Sequence, residues 1–196
     1  LLLSPVAARA AINVVTTQES YASIARELGG DRVEADAIVP GNADAHFVKP
    51  KPSYAFMLRD ADLFVSTGLD LELWAPVLVN KSGNRNIADG AAGYVAAAHG
   101  IDLLDKPASA DRSHGDVHIY GNPHILASPL NGKIIAKNIA VGLSKIDPAH
   151  AEALFERSRR YAEHKNFEAA LRDADRLIVV RPRSAQGHRM AGRLYV

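Results

Sequence analysis

The sequence predicts an α/β fold: a parallel sheet flanked by helices on both faces. Three observations carry that expectation. Short β-branched apolar runs alternate with stretches of helical spacing, the order that builds crossovers between parallel strands. Each run ends at glycine, proline or a polar loop. And 47% of the 196 residues are hydrophobic, enough for one domain with a core, or one and a fraction.

The β-branched run from Ile12 to Thr17 predicts a buried strand. Tyr21, Ile24, Ala25 and Leu28 then recur at helical spacing until Gly29 and Gly30 stop the helix. Arg32 to Val39 predicts a second strand, closed by Pro40 and Gly41. A helix opens at Pro52 and Ser53, with Ser53 as a candidate cap, and runs to Ala61. Leu63 to Gly68 predicts a third strand, and Glu72 to Val79 a short helix carrying the only tryptophan, Trp74. A weaker strand signal lies in 94–98 or around 101–104. Beyond Pro129 the pattern is helical: Ile135, Ile139, Leu143 and Ile146 share one face. Asp147 and Pro148 restart a helix as cap and first turn, and an apolar face continues from Leu154 towards Leu177. Residues 167–178 also resemble one tetratricopeptide helix, which cannot bury its own face alone.

Composition excludes several functions. The net charge of +1 offers nothing to nucleic acid or an anionic surface. The absence of cysteine rules out disulfides, thiolate metal sites and cysteine nucleophiles. Residues 1–10 read as a signal-peptide remnant, ending in the small-x-small pattern Ala8-Arg9-Ala10. Ala11, where a lipid-anchored protein carries cysteine, argues for a soluble exported chain.

The chemistry concentrates in two histidines. His46 lies in the loop from Gly41 to Ser53, and His124 in the segment from Tyr120 to Pro129. Both loops are bracketed by proline or glycine, which restrict the backbone and reduce the entropy lost on binding. In a parallel α/β sheet, ligands bind beyond the carboxyl ends of the strands. Two histidines on neighbouring loops of that rim can share a metal ion, because neutral imidazole is a common zinc ligand.

Taken in order, several motifs resemble a known family. They are Asp44-Ala45-His46, then Lys51-Pro52-Ser53, the run from Ala61 to Trp74, and Asn122-Pro123-His124 with Pro129. The family is that of the periplasmic zinc- and manganese-binding solute receptors of metal ABC importers, of the zinc-uptake type. The resemblance implies one lobe of a two-lobe solute-binding protein. Residues 11–130 would form an N-terminal metal-binding lobe, 131–166 a long linking helix, and 167–196 a truncated remnant of the second lobe. It implies zinc as cargo, with manganese as the alternative, the membrane permease of the importer as partner, a periplasmic location and no reaction. His46 and His124 would be ligands. The usual Asp-Pro-His is Asp44-Ala45-His46 here, and the ligands that the family's second lobe supplies have no evident counterpart.

His114 and His118 form a small His/Asp cluster with Asp116, in a region where family members carry a histidine-containing loop. His118, six residues before His124, is a candidate third ligand; a solvated loop is the alternative. Asp44 reads as a carboxylate that braces the His46 loop. His99, His150 and His164 read as surface residues, and His188 matches no motif. Two rival readings stand beside the receptor. One is a metal-dependent hydrolase using an activated water, although no His-Glu-x-x-His or nucleophile elbow is present. The other is a non-functional or purely structural fragment, whose linking helix would expose an apolar face favouring a homodimer or aggregation.

Overall fold

The computed structural model describes residues 11–107 and 118–164. Expectations about the signal-peptide remnant, His114, His188 and residues 167–196 lie outside these. The same is true of the side chain of His164.

Four strands form one all-parallel sheet in the order β2-β1-β3-β4. They are β1 (Ile12–Gln18), β2 (Val33–Val39), β3 (Leu63–Ser66) and β4 (Tyr94–Ala96). The helices are α1 (Glu19–Gly29), α2 (Pro52–Arg59), α3 (Ala75–Ser82), α4 (Asn131–Ile146) and α5 (Ala151–His164).

Period-two alternation divides each strand between two cores. Val14, Leu63 and Val65 face a cluster built with Tyr21, Ala25 and Leu28 of α1 and Ile135, Ile139 and Leu143 of α4. Val15 and Phe64 face the opposite cluster, with Leu58 of α2 and Leu78 of α3. Both faces are covered, as the run pattern requires.

Three expectations need correction. Ser53 does not cap α2: Lys51 holds the cap position, and Pro52, whose fixed φ suits the first turn, begins the helix. The helix expected over 72–79 starts only at Ala75. Trp74 sits at its cap position, because its indole N–H and the Glu72 carboxylate bond to other segments. Nor does α4 expose its apolar face: Ile135, Ile139 and Leu143 are fully buried within the chain. That part of the linking-helix face packs inside the chain, whereas Phe155 of α5 is 44% exposed.

α4 and α5 are separate helices. Between them, Asp147 is 1% exposed and its carboxylate bonds to side chains rather than capping the backbone of the following turn. It accepts from Arg32 Nη2 at 2.6 Å and from His150 Nδ1 at 3.0 Å. His150 lies at the surface in a short turn, as expected, its side chain 43% exposed, and it pairs with that carboxylate. The His150 imidazole and the Arg32 guanidinium hold the Asp147 carboxyl below its ordinary range. A depressed folded pKa stabilises the fold above the unfolded value of about 3.9, and that contribution is lost as pH falls through the folded value. Asp147→Asn is accordingly expected to be less stable than wild type at pH 7. The gap should narrow below about pH 4, read as urea midpoints at a series of pH values.

Candidate metal centre

The carboxyl ends of the strands carry the site. The loop after β2 brings His46, and the turn after β3 brings Asp70. The segment beyond β4 brings His118 and His124.

His46 is fixed from both sides. Its backbone N–H and its ring Nδ1 both bond to Asp44 Oδ1, at 2.9 and 2.7 Å. Ala45, the departure from the family's proline, is buried, and its carbonyl accepts from Trp74 Nε1 at 2.7 Å. The indole thus restrains a loop that alanine would otherwise leave freer. Asp44 braces the loop as expected; the bond from the His46 backbone, then that from its ring, lowers the Asp44 carboxyl below its ordinary range.

His118 is held by a residue that sequence reasoning did not single out. Asp70, with a side chain 4% exposed, takes His118 Nδ1 on Oδ1 and the Ile119 N–H on Oδ2, both at 3.0 Å. His124 follows a tight turn in which its backbone N–H bonds to Asn122 Oδ1 at 3.0 Å. The short 3-10 turn Ile125–Ala127 then leads towards α4. His99 is exposed at a turn after β4 and takes no part.

The three imidazoles converge. Their ring centroids lie 5.1 to 6.0 Å apart, and one nitrogen from each lies within 4.8 Å of the others. His46 Nε2 and His118 Nε2 face each other at 3.4 Å. A carboxylate only accepts hydrogen bonds, so a neutral imidazole bonded to one through Nδ1 carries its proton there and offers a lone pair at Nε2. Two such lone pairs repel unless a cation stands between them. Zinc–imidazole bonds of about 2.0–2.1 Å in a tetrahedron separate two ligand nitrogens by about 3.3 Å, close to the distance observed. The arrangement can therefore hold a divalent cation on three nitrogens, with the Asp44 and Asp70 carboxylates nearby to offset its charge.

Beneath the rim, a buried network ties the ends of β1 and β3 together. Glu72 Oε1 accepts from the Thr17 and Thr67 hydroxyls, each at 2.7 Å. The Thr67 hydroxyl in turn pairs with Tyr21 OH at 3.0 Å. Thr17 and Thr67 are fully buried, and Glu72 is nearly so. The network serves the scaffold: it fixes the turn from which Asp70 projects.

Comparison with known proteins agrees with the motif pattern. The family described as zinc-uptake complex component A, periplasmic, matches residues 14–176. A metal ABC transporter substrate-binding lipoprotein of Streptococcus cristatus is 30% identical over 156 residues, covering 78% of this chain and 47% of that protein. The high-affinity zinc uptake system protein of Bacillus subtilis (strain 168) is 28% identical over 182 residues, covering 89% of this chain and 53% of its own. Among solved structures, a metal-dependent lipoprotein from Bacillus subtilis superposes with a TM-score of 0.60 at 27% identity, covering 85% of this chain and 54% of its own. The chain spans about half the length of the relatives it matches.

Proposed function

This chain belongs to the family of zinc-uptake complex component A, periplasmic, and from that premise we propose that it captures zinc outside the cytoplasm and passes it to the permease of an ABC importer. The proposed ligands are His46, His118 and His124. One observation carries the reading: three histidine nitrogens gather on one rim, and two of the rings have their Nδ1 atoms bonded to carboxylates so that their lone pairs converge. No reaction is part of the proposal. Among the described residues no helix is long and apolar enough to cross a membrane.

Three neutral imidazoles favour zinc over manganese, which prefers oxygen donors and stands lowest in the affinity order of the divalent first-row metals. Three nitrogens leave the fourth tetrahedral position to water or to a ligand from elsewhere. An open position suits a carrier, because an incoming ligand can enter before an existing one leaves. The expected result is one-to-one zinc binding by calorimetry. Manganese, added at equal concentration, is expected not to displace the zinc. Retention of manganese in the presence of equimolar zinc contradicts the proposal.

A further inference from the structure

The geometry points to Asp70 as a positioning residue: its buried carboxylate locks His118 in the tautomer whose Nε2 lone pair faces the metal, so zinc affinity depends on a side chain that never touches the ion. The inference rests on His118 being a ligand, as proposed above.

Asp70 uses its two oxygens on consecutive residues, Oδ1 on the His118 ring and Oδ2 on the Ile119 backbone, each at 3.0 Å. It therefore sets both the orientation of the ring and the path of the chain that carries it. Its own position is anchored on the following residues, for Leu71 packs in the core and Glu72 is buried in the Thr17 and Thr67 network. Asp44 makes the corresponding bond to His46 but is 58% exposed, so water can substitute for it. Asp70, at 4%, has no such replacement. Outer partners of this kind tune ligand basicity and orientation.

The isosteric amide separates positioning from packing. In Asp70→Asn, the Ile119 N–H can only donate, so the amide oxygen turns towards it and the amide N–H₂ meets His118 Nδ1. That nitrogen must then accept, which moves the ring proton to Nε2 and aims an N–H at the ion. D70A leaves the ring free to adopt either tautomer.

Zinc affinity is measured by competition with a chromophoric chelator in wild type, H118A, D70N, D70A and the H118A/D70N double variant. D70N is expected to lose about 10- to 100-fold, and D70A less. A purely structural role predicts the opposite order, because asparagine preserves volume and alanine does not. In the H118A background D70N should add less than about twofold, the limit for a residue acting only through His118. Imidazole ¹⁵N shifts report the tautomer directly: the proton on Nδ1 of His118 in wild type and on Nε2 in D70N, in chains whose thermal unfolding shows them folded. If H118A weakens zinc binding but D70N does not, or D70N costs as much without His118, the positioning role is overturned while the ligand assignment stands. If H118A leaves zinc affinity unchanged, the ligand assignment fails and the inference with it.

Discussion

Replacing His46 and His124 together by alanine is expected to abolish one-to-one zinc binding. The two residues supply two of three nitrogens that lie within 4.8 Å of one another, and their removal leaves His118 alone. The loss should exceed the roughly 100-fold that removal of an orienting partner causes, since first-contact ligands themselves are gone. Both side chains lie on loops at the rim, His124 exposed and His46 partly so. The fold should therefore survive, and the variant should unfold near the wild-type temperature. Calorimetry checks the affinity and circular dichroism the fold. Unchanged zinc binding in a folded double variant contradicts the assignment of both residues.

The second large effect concerns the backbone beneath the site. Gly68, two residues beyond β3, has φ +80, and a Cβ there would lie 2.4 Å from Ala96 Cβ and 2.9 Å from its Cα. Gly68→Ala therefore incurs left-handed strain of about 1–2 kcal/mol and overpacking of about 1–3 kcal/mol, roughly 2–5 kcal/mol together. The contact is with the neighbouring β4 rather than with a flexible side-chain end, so relief requires β3 and β4 to separate. Asp70 lies two residues further on, and its hold on His118 should loosen as well. The expected result is a lower urea midpoint accompanied by weaker zinc binding. A variant with wild-type stability would show that the turn is freer than its geometry implies.

These two effects also show where sequence alone sufficed. The runs at Ile12–Thr17 and Leu63–Gly68 were legible because strands buried on both faces need continuous apolar sequence. Arg32–Val39 was legible because Val33, Ala35, Ile38 and Val39 remain apolar around the exposed Glu34 and Asp36 before Pro40 and Gly41 close it. β4 was not, since 94–98 and 101–104 are equally apolar. What separates them is pairing, Phe64 with Tyr94 and Ser66 with Ala96, and pairing is a property of the assembled sheet. Ile101 and Leu103 pack against the core without joining it as strand. Helix boundaries shifted for a related reason. Trp74 fits helical spacing, yet its indole N–H bonds to the carbonyl of Ala45, 29 residues away.

At the site, His46 and His124 were legible because proline and glycine mark their loops. His118 was visible only as a histidine near another. Asp70 was not singled out for a physical reason: within Gly68-Leu69-Asp70-Leu71-Glu72 its alternation resembles an exposed turn, and its imidazole partner lies 48 residues away. The ordered family motifs include that run, but they do not say which of its carboxylates meets a ligand. Only the folded chain distinguishes Asp70, which braces His118, from Glu72, which braces the strands.

Zinc is expected to bind to three imidazoles of this one chain. The most direct measurement is X-ray absorption at the zinc edge of the loaded protein, repeated on H118A. We expect three imidazole nitrogens at about 2.0–2.1 Å and one further light atom, falling to two imidazoles in the variant. A shell made of oxygen alone, or an imidazole count unchanged by loss of His118, contradicts it.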